Sequence, residues 1–422
     1  MMLCERQNCT GCAACVNVCP VGAITLVADE EGFLRPDILG DRCVACGKCT
    51  NVCPQISPID IPDEPKMVFA CWHRDRFVRR ESTSGGAFSA LAEEILHCGG
   101  KVYGAAFNGF PHVAHVGIDN VHELKRLQGS KYVQSEIGHV FEKVKEDVSK
   151  GRRVLFSGTP CQVAGLYAYL GNRHKGQLVT IDLVCHGVPS PMVFADYVKW
   201  IERKNDANVV EYRFRNKNMG WYLHSTKIGL SNGKTILEHF FKNPFSRGFL
   251  RDYFLRPSCH VCPYAGVNRP ADITLSDFWG YKGNRRDCLD RDDDKGVSMV
   301  MLNTSTGVTL FDSVRERLVV WERGLDDAVS GNLALREPSP VSQQRHQFWD
   351  DYRRLPFDVI VEKYMYSEDF TKWWEDRYTW RGRLHSLIQQ ALGNCKRGIR
   401  KVFGERQFLR LKTLFGKGER NE

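Results

Sequence analysis

The sequence predicts a multidomain protein of combined α+β and α/β class: a small cysteine-built head, a mixed-sheet α/β body and a helical C-terminal region. Three observations carry that prediction. One cysteine pattern occurs twice within the first 57 residues. From Met67 onward, apolar runs of strand length alternate with helical periodicity. Beyond Pro338 the chain is rich in aromatics and lacks strand patterning. The expected divisions are 1–57, a connector at 58–66, a body at 67–335 and a C-terminal region at 336–422.

The head comes first. Cys9-x2-Cys12-x2-Cys15-x3-Cys19-Pro20 is repeated as Cys43-x2-Cys46-x2-Cys49-x3-Cys53-Pro54. Three thiolates two residues apart wrap one [4Fe–4S] cube from a single loop, and the fourth crosses to the other cube. The expected ligand sets are therefore Cys9, Cys12, Cys15 and Cys53, and Cys43, Cys46, Cys49 and Cys19. This is a ferredoxin-like, two-cluster domain. Zinc sites use two cysteine pairs, so triplets with a crossing ligand argue against zinc. Each proline after the fourth cysteine stops a helix and turns the chain back.

The connector, from Pro54 to Pro65, holds four prolines and no helical period, so it reads as stiff and extended. In the body, Gly86 to Cys98 has helical spacing, with Ser82-Thr83-Ser84 as start and Gly99-Gly100 as stop. Val102–Phe107 follows as a strand and Ile137–Lys150 as a helix. Val154–Ser157 is a short buried strand, Val163–Leu170 a helix and Leu178–Val184 another buried strand. This rhythm predicts a parallel or mixed sheet covered by helices. Val209–Arg215, Leu223–Leu230 and Thr235–His239 read as antiparallel strands, and Ile273–Leu275 and Val297–Leu302 as further strands.

A second cysteine set lies in the body's loops. Cys161 sits between a buried strand and a helix start, Cys185 ends another buried strand, and Cys259 and Cys262 form Cys-x2-Cys-Pro. Strand ends of an α/β sheet gather ligands, so the loops can converge on one four-thiolate site. Spacing alone leaves a third [4Fe–4S] cluster, a zinc site and a redox-active thiol pair open. Cys4, Cys71, Cys98, Cys288 and Cys395 lack partners at ligand spacing and read as structural thiols.

Composition sets limits. The net charge is +9 over 422 residues. From Arg381 onward eleven basic and three acidic residues give +8, which leaves the rest of the chain near neutral. That excludes nucleic-acid binding by the body. No apolar run reaches the roughly 18 residues of a membrane span. The first ten residues are polar and carry no secretory pattern, so a chain of seventeen cysteines, with those of the head at cluster spacing, implies a reducing, cytoplasmic setting. Leu384, Leu387, Ile388, Ala391 and Leu392 begin a basic amphipathic tail. It is suited to peripheral contact with an anionic membrane or an acidic partner, or is a solvated tail.

Several segments resemble the coenzyme F-420 hydrogenase/dehydrogenase beta-subunit family. They are Ser82-Thr83-Ser84-Gly85-Gly86-Ala87-Phe88, Gly129-Ser130-Lys131-Tyr132-Val133-Gln134 and Gly158-Thr159-Pro160-Cys161-Gln162. Asp182 to Ser190, Cys259-x2-Cys262-Pro263-Tyr264 and Ala271 to Gly280 extend the match, in order, to about Tyr352. The resemblance implies FAD and an iron–sulfur cluster in the body. It thereby favours a third cluster at Cys161, Cys185, Cys259 and Cys262.

No Gly-x-Gly-x-x-Gly follows a strand, so a Rossmann mode for the flavin is not supported. The pyrophosphate would rest on a helix N-terminus instead. Ser84, Gly85 and Gly86 are the first candidate, Gly158 and Thr159 the second. Lys131 is the candidate for the ring's electron-rich edge, and Ser130 a further cofactor-binding candidate. Asp277, ahead of Phe278-Trp279, and His186 are the candidate proton-handling residues, and Arg213, Arg215 and Lys217 the candidate anion binders. The alternative for each is a plain structural role: a turn aspartate, a satisfied histidine, alternation on a strand. The expected activity is an iron–sulfur flavoprotein oxidoreductase linking a small two-electron substrate to a redox partner protein or ferredoxin-like carrier. The competing readings are an electron-transfer subunit without its own substrate and a redox protein lacking flavin.

Overall fold

The computed structural model describes residues 3–61, 67–171, 176–279 and 293–366. The basic tail, Cys288 and Cys395 lie outside them. By its contacts the chain divides into two units, Met1–Val361 and Glu362–Glu422, and the fold below is that of the first.

In the head, each cysteine triplet runs into a short helix: α1 (Ala14–Val18) after the first and α2 (Lys48–Asn51) after the second. Between them β1 (Ile24–Ala28) and β2 (Leu34–Ile38) form an antiparallel hairpin with Ile24 opposite Ile38.

The body is built on an eight-stranded mixed sheet. In chain order its strands are β3 (Met67–His73), β4 (Lys101–Phe107), β5 (Val113–Ile118), β6 (Val154–Gly158) and β7 (Leu178–Leu183). A separate antiparallel sheet of β8 (Val209–Asn216), β9 (Ser225–Leu230) and β10 (Thr235–His239) interrupts the series. The main sheet resumes with β11 (Ile273–Asp277), β12 (Ser298–Leu302) and β13 (Leu318–Arg323). Its spatial order is β13-β3-β12-β11-β7-β6-β4-β5. The four central strands β11, β7, β6 and β4 are parallel, and antiparallel strands flank them on both sides. Central parallel strands are covered on both faces and so read as continuous apolar runs; Val154, Leu155 and Phe156 of β6 are all fully buried.

The covering helices include α3 (Ala87–His97), α4 (Val140–Ser149), α5 (Pro160–Leu170), α6 (Pro191–Asn205), α7 (Ser305–Ser313) and α8 (Arg345–Tyr352). On one face α3 and α7 bury Leu91, Ile95, Leu310 and Phe311 against the sheet. On the other, Val144 of α4 and Val163 and Leu166 of α5 share one core with Ala14, Val16, Ile24 and Val52 of the head. The head therefore has no separate core of its own beside the body. At roughly 25 cal/mol per Å² of buried apolar surface, packing it there gives a short cysteine-rich segment stability it lacks alone.

The seam is tight. Cys12 lies so close to α5 that a Cβ added at Gly165 would sit 2.8 Å from its Cβ and 2.9 Å from its sulfur. Asn17 donates to the Gly138 carbonyl at 2.7 Å, Ser190 donates to the Glu31 carbonyl, and Arg345 pairs with the Glu31 carboxylate. Within the body, Asp272 at the start of β11 accepts from Thr180 N–H, Thr180 Oγ1, Tyr167 and Thr304, tying α5, β7 and the start of α7 together.

Gly165→Ala improves helix propensity by about 1 kcal/mol, yet it is expected to lower stability by about 1–3 kcal/mol through overpacking against Cys12. Denaturant midpoints measured under anaerobic conditions check this. An unchanged or raised midpoint would show that the head is not pressed against α5.

Candidate metal centres and the adjoining cleft

The head cysteines line two pockets. Cys9, Cys12, Cys15 and Cys53 line one pocket, and Cys19, Cys43, Cys46 and Cys49 line another. The second opens to the surface, where Cys46 and Val44 are exposed. Cys4 joins the first pocket, a placement the spacing gave no reason to expect. The Cys4 thiol beside them holds Cys9 and Cys53 below the usual thiol range.

The body's four cysteines also meet. Cys161, Cys185, Cys259 and Cys262 line a single cavity of about 510 Å³ with Thr10, His186, Arg256, Tyr264 and Arg269. Cys161 stands on the first turn of α5, where Pro160 and a reciprocal Thr159–Gln162 cap start the helix. Cys185 follows the end of β7. Cys259 and Cys262 come from a 3₁₀ turn over Pro257–Val261. Arg269 fixes two of these loops, donating to the carbonyls of Leu183 and Tyr264 and pairing with the fully buried Asp182. Burial pushes the thiols up, Cys161 to about 11 and Cys259 to about 12. Neutral buried thiols ionise when a metal takes the proton's place, which makes loading proton-releasing. Among the described residues no three His, Cys, Asp or Glu side chains converge to hold a single metal ion.

On the other side of the strand ends lies a cleft of about 710 Å³. Ser82, Thr83, Ser84, Gly86, Phe88, Gln128, Gly129, Ser130, Ser157 and Ser276 contribute to its walls. Gly86, at φ 98°, begins α3 with no side chain capping the helix. The Ser84 hydroxyl donates to Val297, and Gly85 N–H donates to Ser298 Oγ, so both are spent inside the protein. Ser130 N–H and hydroxyl both donate to Thr83 Oγ1. Lys131 donates to the carbonyls of Arg126 and Gln128, and burial draws its ammonium down to about 7. Gly158 and Thr159 do not line the cleft; Thr159 stands over Cys161, its Oγ1 3.1 Å from that sulfur.

The remaining candidates are held by protein groups. Asp277 accepts from Arg215 at 2.9 Å and from Trp221 Nε1 at 2.7 Å, and Arg215 also donates to Tyr132. Trp279 stacks on Trp221 with centroids 4.4 Å apart. His186 borders the cysteine cavity, with Nε2 2.7 Å from Asp252 and Nδ1 3.2 Å from Ser339. Arg213 pairs with Glu81 and Glu211 at the surface. Lys217 donates to the carbonyls of Arg79, Ser84 and Lys295. These three cations thus share a strand and its extension rather than a common anion site.

Residues 8–56 match the 4Fe-4S dicluster domain, and residues 151–328 match the family described as the C terminus of the coenzyme F420 hydrogenase/dehydrogenase beta subunit. The second stretch contains Cys161, Cys185, Cys259 and Cys262 together. Together the two matches make the chain similar to that beta-subunit family, with an N-terminal ferredoxin domain. They indicate an iron–sulfur redox protein. No curated protein sequence matches it. Among solved structures it is similar to a chain of the xenon-derivatized F420-reducing [NiFe] hydrogenase complex from Methanosarcina barkeri. The identity is 16%, covering 75% of this chain and 93% of that one, with a TM-score of 0.43. Among the described residues no helix is long and apolar enough to cross a membrane.

Asp277→Asn is expected to lower unfolding stability by about 3–5 kcal/mol, because it leaves the Arg215 guanidinium buried without its counter-charge. Thermal or denaturant unfolding reads this without any assay of activity. An unchanged midpoint would return Asp277 to the role of a functional carboxylate with no structural duty.

Proposed function

We propose that the protein is an iron–sulfur flavoprotein oxidoreductase. It would pass electrons between a small two-electron substrate, of which the deazaflavin coenzyme is one, and a protein partner at the head. The observation that carries this reading is the convergence of Cys161, Cys185, Cys259 and Cys262, from three separate stretches of chain, on one cavity whose wall includes Thr10 of the head. Thr10 also borders the pocket of Cys9, Cys12, Cys15 and Cys53. Two thiolate-lined sites sharing a wall suit electron relay.

The donor sets fit their groups. Each of the three cysteine foursomes suits a [4Fe–4S] cube, and the cleft suits FAD. A flavin exchanges two electrons with a substrate and a cubane cluster carries one, so the pair converts between them. In the cleft, the uncapped start of α3 at Gly86 offers main-chain N–H groups and a favourable dipole to a pyrophosphate. Thr83 and Ser130 keep the two walls together, and Lys131 supplies an ammonium near them. Ser84 and Gly85 shape the turn rather than donate into the cleft. His186, held by Asp252 and Ser339, borders the cavity of the body cysteines.

At the far end, exposed Val44, Val21 and Cys46 surround the second head pocket, a rim on which a partner protein would bring its own redox group close. A cytoplasmic location fits thiolate-ligated iron.

Anaerobic purification tests the proposal. The native chain is expected to hold about twelve irons and a bleachable yellow flavin, and Cys161→Ser about eight irons with the head clusters' spectrum retained. Full iron in C161S would remove the third site, and a colourless, flavin-free protein would remove the substrate-converting role.

A further inference from the structure

Arg256 is fully buried, yet among the described residues no carboxylate pairs with it. Its main chain belongs to the body. Arg256 N–H donates to Val188, its carbonyl accepts from Cys259 N–H, and the residue forms part of the wall around Cys161, Cys185, Cys259 and Cys262. Its side chain leaves the body and enters the head. Nε donates to the Cys9 carbonyl at 2.7 Å, NH2 to the Leu34 carbonyl at 3.0 Å, and NH1 to Gln134 Oε1 at 2.7 Å. NH2 also points at the Cys9 sulfur, 3.6 Å away, and the guanidinium lies over the Phe33 ring. The head makes room for it at Gly11, where a Cβ would stand 2.7 Å from NH1.

A buried cation without a counter-ion is costly. Every partner of this one is neutral except the sulfur that would be a thiolate ligand. The other head pocket has no such group: the cation at its wall is Lys48, which is exposed to water. The two sites are thus electrostatically unlike, although their cysteine patterns are copies.

We propose that Arg256 is the counter-charge and N–H···S donor to the iron–sulfur group held by Cys9, Cys12, Cys15 and Cys53, and that it raises the reduction potential of that group above that of the other head site. This rests on the ligand sets of the proposed function. The sign follows from charge. Reduction adds one negative charge to the cluster, and a fixed guanidinium in a poorly screened interior stabilises the reduced form. Arg256 is a positioning residue as well, since its bonds to the Cys9 and Leu34 carbonyls hold the head against the body cavity.

The test is an EPR-monitored redox titration of the full chain, purified anaerobically, as native protein, Arg256→Gln and Arg256→Lys. Both variants are expected to keep native iron content. In R256Q the equilibrium constant for reducing one cluster falls at least tenfold, a downward shift of 59 mV for one electron. In R256K, which keeps the charge and loses the fork, it stays within threefold of native. A loaded R256Q that titrates like native protein overturns the proposal, and so does an R256K that falls as far as R256Q. Should R256Q fail to hold iron, an Arg35→Gln variant with ¹⁵N confined to its arginine guanidinium groups reads the same contact, since Arg35 also donates to the Cys9 carbonyl at 3.2 Å and is removed here. Pulsed EPR of the reduced state is expected to show coupling of one cluster to that nitrogen, and its absence overturns the proposal. A native iron content of about eight would sink the third cluster while leaving this test readable, because Cys9 belongs to the head.

Discussion

The approach of the head to helix α5 governs the rest of this structure. Cys12 rests on the flat side of Gly165, four residues along α5 from Cys161, so one helix touches a head cysteine in its middle and carries a body cysteine at its start. Arg256 makes the reciprocal link from the turn that holds Cys259. Electron transfer over short distances needs sites held at fixed separation. Here that separation is set by van der Waals contact and by a buried guanidinium, not by a tether. The shared core of Val163, Leu166, Ala14 and Val16 makes the arrangement costly to open.

Around that seam the body uses buried charge as scaffolding. Asp182 with Arg269, Asp277 with Arg215, and Asp272 with its ring of hydroxyls all sit in or beside the central strands, where unpaired charge is not tolerated. Each fixes a strand end. Arg269 ties the segment leading to Cys185 to the turn after Cys262, and Asp277 ties β11 to the smaller sheet through Arg215 and Trp221. The cysteine cavity and the serine-rich cleft are therefore framed by ion pairs; both Asp277 oxygens are taken, whereas Arg215 Nε and NH2 are buried without a hydrogen-bond partner among the described residues.

Much of this was legible in the sequence. The repeated spacing picked out the eight head cysteines that line two pockets, because loop length limits which sulfurs one cube can reach. The strands at 102–107, 154–157 and 178–184 and the helix at 163–170 were readable because central parallel strands are apolar throughout and their helices have clear caps. Edge strands β5 and β13 were not singled out: Val113–Ile118 and Leu318–Arg323 are interrupted by His115, Gly117 and Glu322, as strands with an exposed side tend to be. Arg256 was invisible. An arginine ahead of Pro257 looks like an ordinary surface residue, and only the folded chain shows it crossing into the head. Cys4 was hidden for a similar reason: it precedes the repeat, and its position beside Cys9 and Cys53 depends on how the N-terminal segment folds back. Ser84, Gly85 and Gly86 were picked as a unit, yet local hydrogen bonds leave only the start of the helix at Gly86 open to the cleft.

The central claim is that three thiolate sites stand close enough to act as one relay. Quantitative EPR of the fully reduced native protein tests it most directly. The account predicts about three unpaired spins per chain, with lines broadened and split by magnetic interaction between neighbouring clusters. Two spins, or three sharp and independent signals, would contradict it.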